Sequence, residues 1–138
     1  MLGSMPVMWS SKLQPVIASS TAEAESQALA SGMRLLVHLR QILFKIDDAF
    51  QIGIDRLSLI TKVYEDNQAA LQTATADPPR LTPWNKSWAI KIHWYRQWLK
   101  DGQIMILPIS TDDQTADILT KPLSRELFER HRKVLLGW

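Results

Sequence analysis

Between positions 24 and 44 apolar residues return at helical spacing, through Ala24, Ala28, Leu29, Met33, Leu36, Leu39 and Leu43. This period predicts a long amphipathic helix with one face to bury, so the chain must supply a second layer for that face to pack against. Its start is also written locally. Ser19 or Ser20 can cap the first turn, and Glu23, three residues after Ser20, completes a capping-box pattern.

The remaining segments alternate between strand and helix patterns, which points to an α/β layer structure. Residues 7–11, continuing toward Ile17, read as a short strand or strand pair interrupted at Pro15, near a sheet edge. Residues 47–55 are polar and turn-like, with Gly53 available for a reversal. Residues 57–64 are largely apolar and rich in β-branched side chains, the best candidate for a central strand. Asp66 lies just past its end. A short helix over 67–74 is stopped by Asp77-Pro78-Pro79. A further helix over 85–100 closes at Asp101-Gly102, and a strand over 103–107 follows. The last part reads as helical over 115–120 and again over 124–136, broken at Pro122.

Three segments carry acids in contexts that a fold could bring together: Ser19-Ser20-Thr21-Ala22-Glu23-Ala24-Glu25, Val63-Tyr64-Glu65-Asp66-Asn67-Gln68-Ala69-Ala70-Leu71, and Thr115-Ala116-Asp117-Ile118-Leu119-Thr120-Lys121-Pro122-Leu123. Gathered carboxylates suit Mg²⁺, a small hard cation that prefers oxygen ligands and retains waters for a phosphate to displace. Taken singly, each segment also reads as a helix start, where acids favour the positive end of the helix dipole. With 138 residues, 46% hydrophobic, the chain suffices for one globular domain over 1–138. A net charge of +2 permits a phosphate-bearing partner without demanding one. The absence of cysteine excludes disulfides and thiolate metal sites and favours an intracellular setting, cytoplasmic or nuclear. No apolar run reaches the length of a membrane span.

These segments, with Trp9-Ser10-Ser11-Lys12 and Gln14-Pro15 before them, Ala28-Leu29 after Glu25, and Ala89-Ile90-Lys91-Ile92-His93-Trp94-Tyr95-Arg96 between the second and third, resemble in order and spacing the ribonuclease H domain of Copia-type retrotransposon polyproteins. The resemblance covers nearly the whole chain. It implies an RNase H-like mixed sheet flanked by helices, and hydrolysis of RNA in RNA–DNA hybrids by two Mg²⁺ (or Mn²⁺) ions held by four carboxylates. Position by position, it assigns catalytic and metal-binding roles to Glu25 rather than Glu23, to Asp66 and to Asp117. Ser26 follows Glu25 where the family usually has Tyr, and Glu65 stands where a small or apolar residue is usual. By strand alternation Glu65 should point away from Asp66.

In the family the first metal-bridging Asp lies on a strand upstream of Trp-Ser-Ser-Lys, and this sequence has no acid before Glu23. The expectation is a fold lacking its first strand or strands, with little or no activity. An open sheet edge would invite homodimerisation or pairing with another segment. Lys12, Asn67, Gln68, Lys91, Arg96 and Lys121 are candidate nucleic-acid contacts, with solvated surface residues as the plainer reading of the cations. Trp84, Trp88, Trp94 and Trp98 read either as a stacking surface for bases or, more commonly, as packing of a helix on a sheet. His38 and His93 read as structural, while His131 on a basic tail fits either role. Two alternatives to a nuclease stay open: a silent nucleic-acid-binding module and a protein-interaction module.

Overall fold

The computed structural model describes residues 6–14, 17–77 and 93–138. The chain forms two compact units, Ala18–Pro108 and a smaller one combining Met1–Ile17 with Ile109–Trp138. The predicted interruption at Pro15, residues 85–92 of the helix expected over 85–100, and Trp84, Trp88 and Lys91 lie outside the described residues.

In the larger unit, helix α1 spans Thr21–Phe50. Ser20 is extended and its Oγ accepts the Glu23 N–H at 3.1 Å. The reciprocal half of the capping box is shifted by one residue. Glu23 Oε2 accepts from the N–H of Ser19 at 2.9 Å and from its Oγ at 2.6 Å, while Gln27 donates to Oε1 at 3.2 Å. The inward face carries Leu29, Ala30, Met33 and Val37. Ala28, expected on that face, is exposed.

α1 runs past the expected end near position 44 because Asp47 faces inward. Its Oδ1 accepts the N–H groups of Gly53 and Ile54 at 2.8 and 3.0 Å, and Arg56 donates to its Oδ2 at 3.4 Å. Gln51 closes the helix in the left-handed region, φ 53°, its N–H returning to the Asp47 carbonyl. The acid that read as part of a turn thus holds the turn onto the helix.

Strand β1 occupies Thr61–Glu65 and starts later than expected. Asp55 folds residues 56–58 into a turn by accepting the Leu57 and Leu59 N–H groups, leaving Leu57 97% exposed. β1 pairs in parallel with β2, Ile104–Pro108, in the register Thr61↔Ile104 to Glu65↔Pro108. Parallel pairing requires a crossover, and its described parts are helices α2, Gln68–Thr75, and α3, Arg96–Lys100. Gly102, at φ 69°, takes the left-handed turn that leads α3 into β2. Leu29, Ala30, Met33, Val37, Ala74, Tyr95, Ile104 and Ile106 form the core, with Trp94 and Trp98 packed against it. For those two tryptophans, packing is the observed role.

In the smaller unit, 3₁₀ turns at Thr111–Asp113 and Thr115–Leu119 precede helix α4, Arg125–Leu136. Ser124 Oγ caps α4 by accepting the Leu127 N–H, and Gly137 ends it. The helical breaks around Pro122 match the sequence expectation. The strand expected over 7–17 does not form among the described residues of that stretch. Residues 6–14 lack regular structure, Val7, Met8 and Trp9 are exposed, and Ser11 Oγ donates to the Leu119 carbonyl at 3.0 Å. A strand is stable only on a ladder partner, and the sheet of the described residues has two strands. The observed class is a mixed helix-and-strand chain with a small parallel sheet.

Candidate functional site

Asp66 directly follows β1 and is half-buried. The C-terminal end of a parallel strand is where α/β folds expose their functional loops, and here the chain turns straight into α2. Asn67 makes that turn: its Oδ1 accepts the N–H groups of Ala69 and Ala70, both at 3.0 Å. Before it, Glu65 is buried, and its Oε1 accepts the Asn67 N–H at 3.0 Å. At the far end of α2, Arg96 donates to the carbonyls of Thr73 at 3.0 Å and Ala76 at 2.6 Å. The loop bearing Asp66 is therefore attached to a short helix tied down at both ends.

Glu25 lies half-buried in the first turn and a half of α1, in the same unit as Asp66. Glu23, two residues before Glu25, is buried and takes part in capping the helix. Asp117 belongs to the smaller unit. Its side chain is buried, and Oδ2 accepts from Lys121 Nζ at 3.0 Å, while its carbonyl accepts the N–H groups of Thr120 and Lys121. His131 is buried in the same unit, with Nε2 unpartnered among the described residues.

The candidate nucleic-acid contacts divide by environment. Lys12 and Gln68 are exposed. Asn67 serves as the α2 cap, Lys121 pairs with Asp117, and Arg96 is buried against the end of α2 rather than on a solvated face.

Three groups with no sequence signal of importance proved central. Arg40, 2% exposed, reaches from the middle of α1 to the Leu59 carbonyl at 3.1 Å, to Thr61 Oγ1 and to Gln103 Oε1 at 3.5 Å. It joins α1 to the starts of both strands, and burial lowers its pKa. Tyr95 is fully buried, with its hydroxyl unpartnered among the described residues. Glu65 is the third. Arg40, charged and inside a helical pattern, looks like a surface residue until its partners, distant in sequence, are known.

The donors on Glu25, Asp66 and Asp117 are carboxylate oxygens, the type that Mg²⁺ and Mn²⁺ prefer, and Asp117 already balances one cation, the Lys121 ammonium. In chemical type the residues fit a divalent ion. Among the described residues, no group of three or more His, Cys, Asp or Glu side chains is gathered closely enough to hold one. Among those residues, too, no helix is long and apolar enough to cross a membrane.

Comparison with known proteins finds retrotransposon polyproteins. The chain is 34% identical over 128 residues, 93% of its length, to the retrovirus-related Pol polyproteins from transposons RE1 and RE2 of Arabidopsis thaliana. It is 30% identical over 123 residues, 89% of its length, to that from transposon TNT 1-94 of Nicotiana tabacum. The chain spans about 8% of the length of these curated relatives. No protein-family model and no solved structure matches it. The likeness supports a retroelement-derived segment.

Proposed function

We propose that this chain is the ribonuclease H segment of a Copia-type retrotransposon Pol polyprotein, contributing Glu25, Asp66 and Asp117 to hydrolysis of the RNA strand in an RNA–DNA hybrid. The observation that carries the reading is the position of Asp66, at the end of a parallel strand and at the entry to a capped helix. The motif order and the likeness to Pol polyproteins over 93% of the chain support the same assignment.

Bound Mg²⁺ or Mn²⁺ would supply an activated water and stabilise the leaving oxygen. The chain's own part is to present oxygen ligands from backbone that does not shift. The Ser20 cap holds the start of α1 beneath Glu25, the Asn67 cap holds the turn beside Asp66, and Lys121 neutralises Asp117 until another cation replaces it. Lys12 and Gln68, both exposed, remain available for phosphate or sugar contacts. The substrate implies action inside the cell, in the cytoplasm or nucleus. Among the described residues each strand of the two-stranded sheet has an outer edge, suited to pairing with a second copy or another segment.

A second reading is a silent module that binds duplex or hybrid by shape, through backbone and 2′-hydroxyl contacts. The Asp117–Lys121 pair favours it, because that carboxylate already has a charge partner. Cleavage of a labelled RNA–DNA hybrid in Mg²⁺ and in Mn²⁺, beside Asp66→Asn, separates the two. The nuclease reading expects cleavage by wild type and none by the variant. Folded wild-type protein that binds hybrid in a steeply salt-dependent way without cutting it would retire the nuclease reading in favour of the silent module.

A further inference from the structure

We infer that Glu65 is a positioning residue for Asp66: by accepting the Asn67 N–H it holds the turn in which Asp66 sits. The inference rests on the reading of Asp66 as a metal-binding acid, and it concerns a residue that the resemblance leaves without a role.

A carboxylate buried at a strand end is costly unless hydrogen bonds satisfy it, and Glu65 is only 7% exposed. Its Oε1 lies 3.0 Å from the Asn67 nitrogen, two residues on, so the side chain folds forward along the chain and spans Asp66. Asn67 is held a second time through its own side chain, which accepts two N–H groups of α2. The peptide unit that follows Asp66 is thereby held at Asn67 from two directions. The sheet gives less help at this point than elsewhere. Opposite Glu65 in the register stands Pro108, which has no N–H to donate to the ladder. Glu65 supplies by side chain a restraint where the strand ladder weakens.

The test uses amide NMR on the 138-residue chain, with Mn²⁺ as the probe, on wild type, Glu65→Leu and Glu65→Gln. Gln keeps an oxygen acceptor without the charge; Leu keeps neither. Glu65→Leu is expected to speed Asn67 amide exchange at least about tenfold, the equivalent of one lost hydrogen bond. It is also expected to raise the Mn²⁺ concentration that broadens the Asp66 amide by about 10–100-fold, the range typical of residues that orient a metal ligand. Glu65→Gln should track wild type in both.

A Gln variant as impaired as Leu would show that charge, not the hydrogen bond, matters and would overturn the inference. So would a Leu variant that behaves as wild type. Absence of any Mn²⁺ effect in the wild type would defeat the metal reading of Asp66, and the clasp is then decided by the exchange data alone: protection lost in Leu and kept in Gln sustains it, any other pattern sinks it. If Glu65→Leu does not fold, Glu65→Met, unbranched and close to Glu in length, replaces it.

Discussion

The hydroxyl of Tyr95 sits at the centre of the larger unit with no hydrogen-bond partner among the described residues, while its ring stands edge-on to Trp94, centroids 5.8 Å apart. Burial pushes the phenol well above the ordinary tyrosine range; the nearby Arg96 opposes that shift and the charge of Glu65 adds to it. The ring contributes packing, whereas the hydroxyl contributes a desolvation cost of about 1–3 kcal/mol when unpaired. Tyr95→Phe removes the cost and keeps the ring, so its urea midpoint should equal or exceed that of wild type, with an unchanged slope. A clear loss of stability would mean that the hydroxyl has a partner. Arg40 differs at the same scale: its two terminal nitrogens donate to three acceptors from two strand approaches, while its buried Nε has no partner among the described residues.

α1 shows how differently the two ends of one element are determined. Its start depends on residues 19–27, all adjacent in sequence, and the cap chemistry was legible there. Its end depends on Asp47 meeting Gly53, Ile54 and Arg56, which a helical period does not reveal. The Ile54 N–H, against the opposing effect of burial, and then the Gly53 N–H and Arg56 hold the Asp47 carboxyl below its ordinary value of 3.8. A carboxyl depressed in the folded state stabilises the fold above that ordinary value and loses its contribution as pH falls through the folded one. Asp47→Asn is therefore expected to be less stable than wild type near neutrality and to converge with it in strong acid. Denaturant midpoints measured from about pH 7 down to about pH 2 would show this as a shallower acid decline. Parallel curves would assign the acid sensitivity to other groups.

At the scale of the molecule, the larger unit depends on one apolar contact layer between α1, the crossover helices and the two strands. Met33 is 1% exposed within it. Truncation to Ala should cost about 2–5 kcal/mol, as for other buried methionines, measurable by chemical denaturation; a cost under about 1 kcal/mol would show that the layer collapses around the gap.

The sequence by itself determined the capped start of α1, the strand ending before Asp66, the helix that follows it, and the helical tail broken around Pro122. Each depends on a period or a hydrogen bond closed within a few residues, so neighbours in sequence suffice to specify it. Only the tertiary structure decided that Leu57 faces solvent, that residues 7–11 form no strand, and that Arg40, Glu65, Arg96 and Asp117 lie inside. Apolarity states what a side chain gains by burial, and charge what it loses, but whether either is buried depends on partners such as Gln103 for Arg40 and Thr73 for Arg96 that lie far along the chain. Those long-range hydrogen bonds lower the cost of enclosing charge.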